Sequence, residues 1–207
     1  MNRMLRIFGL LSLLAVPSWM NAQTQRAGES RSTLNHAEVG IFGDYLRFSP
    51  GSNPTNFVGL GARAAFNVHP NVAIEGQLSY AFERSYSSAF QGGGTTTIVR
   101  SNVRPITGLF GPKFQVGSSG PFRLFATGKV GFVNFSINNS GVASGSTFSS
   151  GVAGVGNGGN YLAVYPGGGI EGFAGPIGIR VEAGDEIYFN NGANNNLRLE
   201  FGPTFRF

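Results

Sequence analysis

Charged side chains recur at alternate positions along several segments of this chain. In the C-terminal stretch LRLEFGPTFRF, Arg198 and Glu200 lie two residues apart, and the odd positions from Leu197 to Phe207 are all apolar. Successive side chains of a β-strand point to opposite faces, so both charges of such a strand share one face. Carboxylates and cations on a shared face can form fixed ion pairs, exchange partners along an ion path, or act as acid and base in catalysis.

The residues that catalysis would need are scarce. Acyl hydrolysis or transfer requires a nucleophile with a base in reach, usually serine with histidine. One histidine (His36) precedes the first predicted strand and the other (His69) stands beside Pro70 in a predicted tight turn. There is no cysteine, no metal-ligand spacing and no basic run suited to nucleic acid, and the glycine-rich stretches 92–95 and 166–172 lack the lysine of a phosphate-binding loop. The sequence therefore predicts no enzyme activity, no catalytic residue, no cofactor, no metal and no nucleic-acid partner.

Eight segments carry the alternation that would position the charges. Apolar and polar residues alternate with a period of two over about 10 to 13 residues in each, which indicates β-strands and an all-β chain. The segments are 37–48, 57–68, 72–84, 104–116, 122–135, 161–173, 177–189 and 197–207.

The connections between these segments alternate in length. The short ones are 69–71, 117–120 and 174–176, and the long ones are 49–56, 85–103, 136–160 and 190–196. Antiparallel strands in chain order would then put tight turns at one end and long loops at the other. The low-complexity stretch 139–160 is rich in Gly, Ser and Asn, so segment 136–160 is expected to be a surface loop that folding does not require.

An eight-stranded barrel with alternating faces can be stable in water or in lipid. Soluble lipocalin-like barrels have an apolar lumen, and membrane barrels have an apolar exterior. Only 12% of the residues are charged, about half the ~25% typical of soluble domains. The strands match the ~9–11 residues that cross hydrocarbon, and their charges lie on one face. These features favour a closed eight-stranded antiparallel up-and-down transmembrane β-barrel. Aromatic residues near strand ends predict the interfacial girdles: Phe48, Phe57, Phe66, Phe82, Phe122, Tyr161, Tyr188, Phe189, Phe205 and Phe207.

The N-terminus has the layout of a secretory signal peptide. A basic start, MNRMLR, is followed by the apolar run IFGLLSLLAV and by PSWMNAQ, which supplies a helix break and a small residue for cleavage. We expect cleavage after Ala22, so that 1–22 is the signal peptide, 23–35 a short polar leader and 36–207 the barrel domain.

Over residues 36–207 the chain resembles the eight-stranded outer-membrane β-barrels of Gram-negative bacteria, related to the transmembrane domain of outer-membrane protein A and to outer-membrane protein X. The first strand AEVGIFGDYLRF and the hairpin FNVHPNVAIEG are similar to those of the family. The C-terminal residues Glu200, Gly202, Phe205 and Phe207 match its assembly signal. The resemblance implies the cell outer membrane as location, with the barrel-assembly machinery as a partner through the C-terminal strand. It also implies contact with outer-membrane lipid and lipopolysaccharide, and a monomer.

An eight-stranded barrel encloses little more than its own side chains, so a general porin is not expected. Opposite charges fall on neighbouring strands of the inward face, as a filled polar lumen requires. We therefore predict a non-catalytic barrel that serves membrane integrity or surface interaction. One alternative is a narrow gated channel in which Arg63, Lys129 and Glu182 exchange partners, and another is an adhesin-like binder using the long loops. The predicted lumen charges are Glu38, Asp44, Arg63, Glu75, Lys113, Lys129, Glu171, Arg180, Glu182, Arg198 and Glu200.

Overall fold

The computed structural model describes residues 36–49, 55–92, 95–117, 120–140 and 159–207. The predicted signal peptide, the predicted leader and most of the low-complexity stretch lie outside the described residues. Within the described part of the chain, no helix is long and apolar enough to cross a membrane.

Nine β-strands follow one another along the described residues. Buried and exposed side chains alternate along the parts of these strands whose side chains are described, as the period of two in the sequence predicts. The strands are β1 (Ala37–Phe48), β2 (Thr55–His69), β3 (Val72–Ala81), β4 (Arg84–Gly92), β5 (Thr95–Val116), β6 (Phe122–Ser140), β7 (Gly159–Ala174), β8 (Ile177–Phe189) and β9 (Ala193–Arg206).

The sheet closes on itself. The first and last strands pair antiparallel, with Asp44 opposite Glu200, and every other pairing joins strands that are neighbours along the chain or the two strands β3 and β5. Closure leaves no open edge in the wall that these strands form, which a sheet in hydrocarbon requires because water cannot satisfy its backbone groups. The predicted closed eight-stranded antiparallel up-and-down β-barrel is confirmed.

The additional strand, β4, is an extension of the third. Both β3 and β4 pair with β5, with Tyr80 opposite Ile106 and Arg84 opposite Val103. Four steps along one strand therefore face three steps along the other, which is a β-bulge. The barrel still has eight positions in its wall, because β3 and β4 together occupy one of them.

The long loop predicted over 85–103 consists largely of strand. Residues 84–92 and 95–103 form the two arms of a hairpin that extends β3 and β5 beyond the barrel wall. The threonine and β-branched run TTTIV in this stretch favours strand. Strand β6 likewise continues to Ser140 opposite Arg100, so part of the predicted loop 136–160 is also strand.

The outer wall carries the apolar faces of the strands whose side chains are described. Its large hydrophobic side chains are between 40% and 77% exposed, from Phe205 to Phe122. On β9 the outward row runs through Leu197, Leu199 and Phe201, whereas Arg198 and Glu200 between them are buried. The alternation therefore separates an apolar exterior from a polar interior.

Four of the predicted girdle residues point inward instead, and one of them, Tyr161, is only half-buried. Phe48, Phe57 and Tyr188 are buried at the loop end of the lumen, with at most 3% of each exposed. Phe48 has the same parity as Asp44 on β1, and Tyr188 has the same parity as Glu182 on β8. Parity sets the face of each side chain, so these rings point inward although they lie at strand ends. Phe66, Phe82, Phe122, Phe189, Phe205 and Phe207 are exposed on the outer wall, and Tyr161 is half-buried.

Candidate functional site in the barrel lumen

The inward face holds thirteen charged side chains, none of them more than 6% exposed. All eleven predicted lumen charges are among them. The other two, Arg123 on β6 and Glu186 on β8, were missed, although each has the parity of a predicted neighbour on its strand, Lys129 and Glu182 respectively. Strict use of parity along the whole strand would have found both.

The layer nearest the short turns pairs two cations with two carboxylates. Lys113 Nζ lies 2.7 Å from Glu38 and 3.0 Å from Glu171. Arg123 Nη1 lies 2.5 Å from Glu38 and 3.9 Å from Glu171. This turn-end layer is electrically balanced because it holds two cations and two acids. Each cation contacts both acids, so the layer joins strands β1, β5, β6 and β7 across the lumen.

The central layer is built around Arg180 and Lys129. Arg180 donates to both oxygens of Glu75 at 2.5 and 3.0 Å and to Glu182 at 2.5 Å, and it lies 3.2 Å from Glu171 in the turn-end layer. Lys129 Nζ lies 2.6 Å from Glu75 and 3.1 Å from Glu182. Charge-assisted hydrogen bonds of this kind hold the planes of both acids in place.

Glu182 is the residue that three cations share. Arg63 Nη1 donates to it at 2.9 Å and also lies 3.5 Å from Glu200, so Arg63 connects the central layer to the next. The trio predicted to exchange partners, Arg63, Lys129 and Glu182, is therefore brought together in the structure. Arg180 is a further member that the prediction did not include.

The layer nearest the loops has one cation among three carboxylates. Arg198 binds Asp44 at 2.8 and 2.9 Å, lies 3.0 Å from Glu200, and donates to Glu186 and to the hydroxyl of Ser79. Among the buried charges of the described residues, six are cations and seven are carboxylates. The loop-end layer by itself has two more carboxylates than cations, and Arg63, 3.5 Å from Glu200, offsets one of them.

Above the charges lies a cluster of rings that we call the aromatic lid. Its neighbouring ring centroids are 5.2 to 6.0 Å apart, within the range of favourable aromatic pairs. The five members come from β1, β2, β6, β7 and β8, so the lid joins strands on several sides of the lumen. They are Phe48, Phe57, Phe135, Tyr161 and Tyr188.

The chemistry of this site is ion pairing across a filled lumen. Every one of the thirteen charges takes part in a salt bridge, and the bridges connect them into one network from Glu38 at the turn end to Asp44 beneath the lid. Within the described residues, no group of three or more potential ligands is arranged to hold a metal ion.

The predicted assembly-signal residues lie at the seam between the first and last strands. Phe205 and Phe207 face outward, 40% and 58% exposed, whereas Glu200 is buried in the network. The backbone of Phe207 accepts from His36 at 2.7 Å and donates to Ala37 at 2.8 Å, so the last residue is paired to the start of β1.

Gly202 has a structural reason that is independent of any signal. A Cβ at this position would lie 2.0 Å from the carbonyl oxygen of Ile41 on β1. Only glycine lets β9 approach β1 this closely, so the residue is required at the seam that closes the barrel.

No protein-family model matches the chain, and no curated protein matches it. Among solved structures, the chain is similar to Neisserial surface protein A, with a TM-score of 0.50 and 8% identity over 83% of this chain and 96% of that one. It also matches Ail, the attachment invasion locus protein of Yersinia pestis, in complex with the heparin analogue sucrose octasulfate (TM-score 0.49, 12% identity, 83% and 97% covered). A third match is the N-terminal β-barrel domain of Pseudomonas aeruginosa OprF (TM-score 0.42, 11% identity, 82% and 97% covered).

The fold and the lumen together define the class of this protein. A closed eight-stranded wall, apolar outside and filled with ion pairs inside, is the architecture of the eight-stranded outer-membrane β-barrels, and the likeness to Neisserial surface protein A shows the same fold. The chain therefore has the fold of these eight-stranded barrels.

Proposed function

We propose that this protein is a non-catalytic integral barrel of the outer membrane, exported through a cleaved signal peptide, whose lumen is closed to passage. Its role then lies in membrane integrity or in interactions of its surface loops. The observation that carries the proposal is the continuous network of thirteen buried charges, capped by the aromatic lid. A lumen occupied by paired side chains and covered by apolar rings offers ions no hydrated path.

The outer wall supports the membrane location. On β2 the outward row runs from Val68 through Phe66 to Val58, all more than half exposed, without a charged residue. Such a surface would be unstable in water, because contiguous apolar patches of this size drive association. Outer-membrane lipid and lipopolysaccharide are therefore the proposed neighbours of the wall.

The C-terminal strand supports a second proposed partner, the barrel-assembly machinery. Phe205 and Phe207 present their rings on the outer wall at the seam with β1. These rings can be read from outside before the seam closes, which suits an assembly signal. We propose a monomer, since closure satisfies the backbone without a second chain.

Conductance across a planar lipid bilayer tests the closed lumen. Refolded wild-type protein should give no steady unitary current, and Phe48→Ala combined with Phe57→Ala should remain equally silent because the salt bridges still fill the barrel below. Removing the charge of Glu182 by Glu182→Gln as well should leave Arg63 with Glu200 and Lys129 with Glu75 as their remaining carboxylates, loosen the central layer and produce flickering current. Steady current from the wild type would overturn the closed lumen.

A narrow gated channel is the second candidate, and one observation favours it. Glu182 is shared by Arg63, Lys129 and Arg180 at 2.9, 3.1 and 2.5 Å. Partner exchange at one carboxylate needs only side-chain rotation, so a voltage-dependent or brief current from the wild type that Glu182→Gln alters would support the channel instead.

A further inference from the structure

The lumen buries one more carboxylate than cations. Among the described residues, seven carboxylates and six cations are buried. In the loop-end layer, Arg198 and Arg63 are the described cations within salt-bridge distance of Asp44, Glu186 and Glu200. An uncompensated negative charge inside a closed lumen is very unfavourable. One of these three carboxyl groups is therefore expected to be neutralised.

Glu200 lies between two other carboxylates in the sheet. Its partner on β1 is Asp44 and its partner on β8 is Glu182. All three side chains are buried in the lumen. Like charges directly opposite each other on neighbouring strands destabilise a sheet. The middle residue of this row is the one for which a negative charge is least favourable.

Glu200 also differs from the other buried carboxylates in its hydrogen bonds. Each of the other six accepts at least one hydrogen bond from a lysine or an arginine. Within the described chain, Glu200 accepts its hydrogen bond from a neutral amide, Gln77 Nε2, at 2.8 Å. Arg198 Nε lies 3.0 Å from Glu200 Oε1 but donates its hydrogen to Asp44 at 2.9 Å.

The two oxygens of the Glu200 side chain have different surroundings. Oε1 accepts from Gln77, whereas Oε2 is buried and accepts no hydrogen bond from the described residues. Arg63 Nη1 lies 3.5 Å from Oε2 and donates to Glu182 instead. An ionised carboxylate has two equivalent acceptor oxygens, whereas a protonated one has one carbonyl oxygen and one hydroxyl. The surroundings of Glu200 match the protonated form.

The charged and titratable groups around Glu200 come from six strands. They are Asp44 on β1, Arg63 on β2, Lys129 on β6, Tyr165 on β7, Glu182 and Glu186 on β8, and Arg198 on β9. The nearby polar side chains of β3 and β5, Gln77 and Thr107, carry no charge. Apart from Glu200, this set holds three cations and three carboxylates, so a neutral Glu200 leaves it balanced.

We propose that Glu200 holds a proton at neutral pH and is a proton-binding site of the lumen. The proton comes from bulk water and adds to Oε2, which leaves a neutral carboxyl group whose Oε1 accepts from Gln77. The inference concerns the charge network and does not depend on the location of the barrel.

A bound proton makes the stability of the barrel depend on pH. A glutamate of the unfolded chain is ionised above about pH 5, so at neutral pH the folded state binds one more proton than the unfolded state. Stability therefore rises as the pH falls, and is lost as the pH rises until Glu200 releases its proton.

Infrared spectroscopy detects the proton directly. The carbonyl stretch of a protonated carboxyl group is separate from the bands of an ionised carboxylate, and a detergent without ester or carboxyl groups leaves that region clear. Refolded wild-type protein at about pH 8 should show this band, because exposed carboxyl groups are ionised there. Glu200→Gln should remove the band, and Glu83→Gln, which changes an exposed carboxylate, should leave it unchanged.

Urea unfolding in the same detergent measures the linkage. Between about pH 6 and about pH 9, the unfolding equilibrium constant of the wild type should rise by up to about tenfold per pH unit, the change that one extra proton in the folded state produces. Glu200→Gln should flatten this dependence. Both histidines of the chain, His36 and His69, are present in each variant, so their titration cancels in the comparison.

The urea midpoint at neutral pH gives a matched comparison of two neighbouring acids. Glu200→Gln should change the midpoint little, because an amide reproduces a neutral acid. Glu182→Gln should lower it clearly, because it removes an ionised carboxylate that three cations share. Equal losses in the two variants would show that Glu200 is ionised and would overturn the proposal.

Other results would overturn it as well. Absence of the carboxyl band from the wild type at about pH 8 would mean that Glu200 is ionised, and this measurement requires no variant to fold. A band or a pH dependence that persists in Glu200→Gln would place the proton on another group. A wild-type midpoint that depends on sodium concentration and not on pH would mean that a bound cation balances the surplus charge.

Discussion

At the scale of single residues, burying the charges of the lumen is unfavourable, and ion pairing with neighbouring charges compensates for it. Arg180 is 1% exposed and would be very unfavourable alone, yet it contacts Glu75, Glu171 and Glu182. Removing one partner of a buried pair leaves an uncompensated charge, which costs about 3–5 kcal/mol, even where the intact pair contributes little net stability. The sensitivity of each position therefore depends on what its removal leaves behind.

This reasoning predicts unequal effects for two similar substitutions. Glu75→Gln deprives both Arg180 and Lys129 of a carboxylate and should lower the free energy of unfolding by about 3–5 kcal/mol. Glu186→Gln removes an acid from the layer that has three for one cation, and should cost clearly less. Urea unfolding in phospholipid vesicles, followed by far-UV circular dichroism, measures both. Equal losses in the free energy of unfolding would show that the surplus of carboxylates in the loop-end layer does not lower the cost of removing one of them.

At the scale of elements, each strand presents two environments one residue apart. On β9, Arg198 is fully buried while Leu199 beside it is 42% exposed. The same strand leaves the apolar region at Asn195, whose amide donates to Asp185 at 2.5 Å on the outer wall. The position of a residue along its strand and its odd or even parity together determine whether a substituted side chain enters hydrocarbon, headgroups or the lumen.

Two arginine substitutions on the outward row of β9 should therefore differ. Leu199→Arg puts a charge toward hydrocarbon and should cost up to ~2–4 kcal/mol, whereas Asn195→Arg at the loop-end border should cost ~0–1 kcal/mol. Reversible folding into phospholipid vesicles measures the two differences against wild type. A cost at position 195 as large as that at 199 would mean that the row does not cross from hydrocarbon to headgroup between them.

At the scale of the whole molecule, stability depends on a seam between residues distant in sequence. The barrel is closed by β1 and β9, with Val39 opposite Phe205. The glycine at position 202 allows the close approach of these strands, and the backbone of Phe207 adds the last pair. The ring of Phe207, 58% exposed at the end of the strand, contributes little to this closure.

Deletion of Phe207 should then affect assembly more than stability. In cells the yield of folded barrel in the outer membrane should fall severalfold, because the ring completes the predicted assembly signal. The midpoint of urea unfolding for protein refolded in detergent should change little. Phe122→Ala, which removes an outward ring near the same end of the barrel, is the matched control and should leave the cellular yield near wild type. A parallel loss in both assays would assign Phe207 a purely structural role.

The sequence by itself determined the strands and their two faces. Parity is a local property of an extended backbone, so Arg198 and Glu200 could be assigned to one face without knowing any partner. The same local rule reaches Arg123 and Glu186, which were missed, and turns Phe48 and Tyr188 inward, where position at a strand end had suggested a girdle. These errors arise when a side chain is assigned by its distance from the strand end and not by its odd or even position in the strand.

Only the tertiary structure decided which charges meet. Arg198 and Asp44 are 154 residues apart in the chain and Arg63 and Glu182 are 119 apart. Their pairing follows from how the strands are staggered around the barrel, which no single strand encodes. The bulge between β3 and β4, which sets Arg84 opposite Val103, is likewise a matter of register between strands. Closure turns eight locally determined faces into one lumen, and the stagger at closure selects the partner of each charge within it.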